Sequence, residues 1–133
     1  MPKQIIRPAG LPDPGPTRAY SHGVRAGQLL FLAGQTGTDA PSPTGASSAA
    51  DRFEQQTRRT FERMRLILEA AGGSLEHLVS MTVFITDMRF GDQFVRLRGE
   101  ILQRDFPASA LIGVSHLANP DALLEIQATA LLD

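Results

Sequence analysis

The sequence predicts one α/β (α+β) domain over residues 1–133, ordered β-β-β-α-β-α-β-β, with a mixed sheet and two helices packed on one face. Three observations carry this. Two segments, 51–71 and 90–104, repeat apolar residues at helical spacing. Extended runs precede, separate and follow them, and the last puts Leu124, Ile126, Ala128, Ala130 and Leu132 on one side and Glu125, Gln127 and Thr129 on the other. A chain of 133 residues suffices for one core but is too short for two.

Residues 3–7 (KQIIR) read as a short strand. Residues 8–16 hold four prolines and two glycines, which predicts an ordered loop rather than helix or sheet. The prolines reduce the entropy lost when such a loop is fixed. Residues 17–23 lead out of it, and Tyr20 beside Arg18 and His22 makes either a ligand edge or a rim tyrosine with its hydroxyl in water. Gly27 marks a turn between two strands. The second, 29–33, is apolar on both faces, as in a strand covered on both sides of a layered fold.

Residues 38–50 form a small-residue loop ending in candidate N-caps Ser47, Ser48 and Asp51. The first helix carries a stripe of Phe53, Thr57, Thr60, Phe61, Met64, Leu68 and Ala71. Its arginines, 58, 59, 63 and 65, are interleaved with Glu54, Glu62 and Glu69, which reads as a solvated face with pairs such as Glu54–Arg58 rather than a nucleic-acid patch. Gly72-Gly73 ends the helix. After a capped turn at 74–77, the strand 79–86 alternates Val79, Met81, Val83 and Ile85 with Ser80, Thr82, Phe84 and Thr86. The second helix presents Phe90, Phe94, Leu97, Ile101 and Leu102, and Phe106-Pro107 stops it. Two extended runs then flank a turn at 118–121. The helices cover one sheet face. The other carries Leu111, Glu125, Gln127, Thr129 and Phe84, a mixture poorly suited to water, so a second layer made of further copies of the chain is expected.

Composition excludes several function classes. A net charge of −1 gives no field to draw nucleic acid or an anionic membrane. No apolar run approaches the length of a membrane span. The lack of cysteine removes disulfides, thiolate nucleophiles and cysteine metal sites. His22, His77 and His116 are scattered without metal-binding spacing, so no metal is expected. The stretch around His116, G-V-S-H-L, is not a nucleophile elbow. The glycines form no phosphate cradle, and no cofactor is expected. The opening residues lack the apolar region of a secretory signal, so the expected location is the cytoplasm.

The motifs that carry chemistry lie near the two ends. One is a tyrosine after a proline-rich loop, followed by GVRAGQLLFLAGQTG at 23–37. The other is F-P-A-x, a strand, a turn and L-x-E-I-x-A-x-A at 106–130. On these motifs the chain resembles the Rid (YjgF-like) enamine/imine deaminases from Tyr20 to Leu132. The resemblance implies a chorismate-mutase-like fold, a homotrimer with pockets between subunits, and hydrolysis of a small enamine or imine such as 2-aminoacrylate to a keto acid and ammonia. Carried over by position, Glu125 would orient or deprotonate water, with Tyr20 as its partner in catalysis, and the Gly34 N–H would face a substrate carboxylate. Two substrate-binding positions depart from the family. Ala33 stands where serine is frequent, and Ser109 stands where an arginine grips the carboxylate. The family comparison places Ser109 in the pocket, on the strand paired with the one holding Glu125. Arg18 or Arg25 are candidates to replace the missing guanidinium. The resemblance thus implies a deaminase with an altered pocket, acting on a substrate other than the usual small amino-acrylate. The alternative is a non-catalytic trimer that binds a small metabolite at the same clefts. Glu125 favours the first reading and Ser109 the second.

Overall fold

The computed structural model describes residues 2–40 and 48–133. Its six strands form a single sheet: β1 (Gln4–Ile6), β2 (Gly23–Ala26), β3 (Leu29–Gln35), β4 (Leu78–Ile85), β5 (Ala108–Gly113) and β6 (Leu124–Leu131). Their order across the sheet is β1-β2-β3-β6-β4-β5. Only β4 and β5 are parallel; every other pair is antiparallel. The helices are α1 (Gly15–Arg18), α2 (Ala49–Ala70) and α3 (Gly91–Leu102). The predicted mixed sheet and the two long helices are therefore present.

The short α1 corrects the reading of residues 8–16 as loop without helix. Pro16 sits in its first turn, where a missing N–H breaks no helical bond. Ala19 closes it at φ 61°, donating to the Gly15 carbonyl at 3.1 Å.

Helix α2 begins two residues before the predicted start. Ser48 caps it: Asp51 N–H donates to Ser48 Oγ at 3.1 Å, and Ser48 N–H donates to the Asp51 carboxylate at 3.4 Å. Ser47, the other serine proposed as a cap, lies outside the described residues. Gly72, at φ 86°, turns the chain out of the helix, and Gly73 N–H reaches the Leu68 carbonyl at 2.8 Å. The buried stripe is the predicted one with Ile67 added. Its two threonines lose no hydrogen bond on burial, because Thr57 and Thr60 donate to the carbonyls of Phe53 and Gln56 at 2.8 and 2.7 Å. Helix α3 stops at Leu102, before Phe106-Pro107, because Gln103 takes φ 71°.

The core lies between the sheet and α2 with α3. Leu30, Leu32, Val83, Ile85, Leu124, Ile126 and Ala130 face the helices with at most 2% exposure. Leu111, expected on the other face, pairs in register with Val83 and packs against this core. Val79 departs from the alternation predicted for its strand. Between Leu78 and Ser80 the β4–β6 register slips, Leu78 takes the inward place, and Val79 is left exposed. Strand β3 is covered on one side only within the chain: Leu29 and Phe31 are 40% and 46% exposed. No described helix is long and apolar enough to cross a membrane.

Candidate functional site

The site grows from an irregularity in β3. Leu32 pairs with Ala128 and Gln35 with Ile126, so three steps along β3 match two along β6, and Ala33-Gly34 bulge out. The Ala33 N–H is held by the His22 carbonyl at 2.8 Å. Opposite the bulge, Glu125 points away from the core side chains of Leu124 and Ile126. A Cβ on residue 34 would sit only 2.8 Å from Glu125 Cδ, so glycine is what lets the carboxylate lie over the strand. Among the described residues Glu125 has neither a hydrogen-bond nor an ion-pair partner. Burial raises its pKa above the ordinary 4.5, and it takes up a proton more readily than a surface glutamate.

Glu125 lines an open cleft of about 440 Å³ at the end of β3 and β6. The cleft brings together Arg18, Tyr20, Ala33, Gly34 and Glu125, five of the seven residues singled out from the sequence; Ser109 and Arg25 are the other two. Tyr20 is 46% exposed at the rim, edge-on to the His22 ring. The cleft also contains Gln35, Arg63 and Asn119, which the sequence reading missed.

A hydrogen-bonded chain supports its floor. The His22 ring, 4% exposed, has Nε2 at 2.8 Å from the Pro12 carbonyl. A carbonyl only accepts, so Nε2 carries the hydrogen, and Nδ1 accepts from Gln35 Nε2 at 3.3 Å. Gln35 also donates to the Ala33 carbonyl at 3.2 Å. Its Oε1 accepts from Arg63 Nε at 3.1 Å. Arg63 Nη1 donates to Asp39 at 2.8 Å, and Arg59 grips the same carboxylate with two bonds of 3.1 and 2.9 Å. Burial, more than the nearby Arg63 charge, holds His22 below the usual 6.5 and favours the neutral ring. On the other wall, Asn119 donates to Thr38 Oγ1 at 3.0 Å. Gln56 of α2 ties down the turn before β6, donating to the Asp121 carbonyl at 3.0 Å and accepting from Leu123 N–H at 2.8 Å.

Ser109 is not brought to this cleft within the chain. Its strand, β5, pairs with β4 and not with β6, so the expectation that the Ser109 and Glu125 strands are partners is corrected. Ser109 is in register with the inward-facing Met81, and its Oγ accepts from Arg98 Nη1 of α3 at 2.7 Å. The Arg98 guanidinium lies over the Phe94 ring, 5.1 Å from its centroid. Arg25 is also elsewhere, donating to the carbonyls of Gly27 and Ala71 at 2.9 and 3.1 Å. A second cleft of about 460 Å³, at the C-terminal end of α3, holds none of the expected residues.

Arg63 was one of four arginines read as a solvated helix face. That reading holds for Arg58, paired with Glu54 and Glu100, and for Arg65, paired with Glu62 and Glu69. It fails for Arg59 and Arg63, whose carboxylate comes from Asp39, outside the helix. No spacing within the helix signals that partner.

Comparison with known proteins agrees with the geometry. The sequence model of the family described as Endoribonuclease L-PSP matches residues 11–132. A RutC family protein of Pyrococcus horikoshii is 36% identical over 129 residues, covering 96% of this chain and 97% of its own. A solved protein of unknown function from Pseudomonas aeruginosa superposes with a TM-score of 0.85 at 33% identity, over 99% of this chain and 94% of that one. A Rid family protein of unknown function from Yersinia pestis gives a TM-score of 0.82 at 26% identity, over 98% and 100%.

Proposed function

Because the chain belongs to the Endoribonuclease L-PSP family, the YjgF/Rid proteins, we propose that it hydrolyses a small enamine or imine to a carbonyl compound and ammonia, in a pocket altered from the usual one. The observation that supports this most is the half-buried Glu125 carboxylate, seated over Gly34, lining the cleft and without a hydrogen-bond or ion-pair partner among the described residues.

The chemistry needs only water. An enamine takes a proton on carbon from water and gives one up from nitrogen, becoming the imine with no net change of protons. Water oxygen bonds to the imine carbon while the C=N π pair moves to nitrogen. Glu125 takes the proton released by that water and returns it to the nitrogen. The remaining hydroxyl proton then passes through Glu125 to the nitrogen as the C–N bond breaks, its electron pair leaves with ammonia, and the former water oxygen becomes the carbonyl oxygen. The raised pKa of Glu125 suits it to both accepting and returning the proton. In this reading Tyr20, at the rim, donates to the carbinolamine oxygen, and the Gly34 N–H to a substrate oxygen; both residues line the cleft.

The active form is proposed to be a homotrimer. Leu29, Phe31, Val79 and Leu131, each at least 40% exposed, leave apolar surface that a neighbouring copy would cover. In such a trimer a neighbour's Ser109 would be brought to the cleft that holds Glu125. The second reading, a trimer that binds a metabolite without turnover, is favoured by Ser109 itself, because no guanidinium extends from that position. The nuclease activity in the family's description has weaker support, since a net charge of −1 offers little attraction to a phosphate backbone.

The test is ammonia release from 2-aminoacrylate generated in situ by a dehydratase. Wild-type protein is expected to exceed the uncatalysed rate, and Glu125→Gln to lose about 100-fold or more with a melting temperature no lower than that of wild type. The activity should also fall with acid along a limb centred above 4.5, as Glu125 becomes protonated. A wild-type rate no faster than buffer, or a fully active Glu125→Gln protein, removes the deaminase reading.

A further inference from the structure

We infer that Arg63 is the specificity-determining cation of the cleft and that it selects substrates bearing a carboxylate. This rests on the proposed use of the cleft and assigns to a helix residue the task that position 109 does not perform here.

Arg25, Arg98 and Arg18 are held differently from Arg63. Arg25 is occupied by two backbone carbonyls. Arg98 is engaged by Ser109 and Phe94, away from the cleft. Arg18 lines the cleft but is exposed, at the end of a one-turn helix, so binding through it would first have to immobilise a long side chain. Arg63 differs from all three. Its side chain is only 16% exposed and lines the cleft. Gln35 holds its Nε and Asp39 its Nη1, while its Nη2 has no protein partner among the described residues. A guanidinium fixed at two nitrogens loses little freedom when the third binds a ligand.

Charge points the same way. Asp39 is the acid shared by Arg59 and Arg63, so one carboxylate serves two guanidiniums and a positive charge remains. Among the described residues that line the cleft, two guanidiniums, Arg18 and Arg63, stand against one carboxylate, Glu125. A small anion is the ligand that this arrangement favours, and a carboxylate oxygen can accept a charge-assisted hydrogen bond from Nη2 of Arg63.

The experiment measures binding and turnover separately. Binding of pyruvate, a carboxylate-bearing product analogue, is compared with that of pyruvamide, its uncharged counterpart, by calorimetry or ligand-observed NMR. Arg63→Gln should weaken pyruvate binding about 10- to 100-fold and leave pyruvamide unchanged. In the enamine assay the same change should appear in KM more than in kcat. Arg63→Lys, which keeps the charge, should recover part of the loss and serves if the glutamine variant folds poorly. Arg65→Gln, on the same helix but outside the cleft, should behave as wild type.

Equal pyruvate affinity in wild type and Arg63→Gln overturns the inference, even if the protein is a deaminase. Arg63-dependent pyruvate binding without any turnover upholds it while removing the deaminase reading. A wild-type protein that binds no pyruvate and turns over no enamine overturns both.

Discussion

His22 is the residue through which acid should reach the fold. Its Nδ1 must stay unprotonated to accept from Gln35, and Gln35 in turn orients Arg63. Asp13 and Arg63 are the charged groups that act on it, with Tyr20 edge-on. The unfolded chain protonates this ring near 6.5, the folded chain only at lower pH. Its contribution is therefore intact above about 6.5 and is lost as pH falls through that value toward the folded pKa. Glu125 has the opposite sign: its raised pKa favours the fold while the group is protonated, and that contribution is lost as pH rises above 4.5. Thermal melts followed by circular dichroism between about pH 7 and pH 5 separate the two. Wild-type protein should lose stability toward the acid end of that window, and His22→Gln should show a flatter dependence. An equal slope in both proteins would leave His22 without this role. Tyr20, Gly34 and Glu125 were legible in the sequence because motif and strand alternation mark them. Arg63 was not, because a helix of alternating charges looks the same whether its partner is a neighbour in the helix or a loop aspartate.

At the level of elements, the bulge in β3 is the device that makes the cleft. Without the extra residue, Gly34 would stay in regular pairing with β6 and Glu125 would have no hollow to occupy. Gly34→Ala places a methyl group within the space of the Glu125 carboxylate and is expected to destabilise by about 1–3 kcal/mol, measured by urea unfolding. Adding Glu125→Ala should return most of that loss, because the atoms that clash are then gone. Failure of the double variant to recover would mean that the strain lies in the backbone. Periodicity made α2, α3, β4 and β6 legible, since each buries one face. It did not reveal the bulges at Ala33-Gly34 and Val79, which are set by pairing between distant strands, nor the turn of α1, which the prolines disguise.

For the whole molecule, the sheet face away from the helices decides assembly. Phe31 and Leu131 lie there beside Thr129 and Gln127, a mixture too apolar for a lasting contact with water and too polar for an ordinary core. Light scattering behind size exclusion at micromolar concentration should give about three times the chain mass of 14.4 kDa. A stable monomer would remove the trimer and any part for a neighbour's Ser109. The strand order has a different consequence. Strand β6 lies between β3 and β4, yet it is made after every other strand. While the ribosome is still adding residues before 124, β3 and β4 have no strand between them and the hydrogen-bonding edges of both stand open. The sheet cannot close while the chain is growing, so a nascent chain halted before β6 has emerged should be cut readily by protease and should depend on chaperones, and protection should arrive in one step with its last strand.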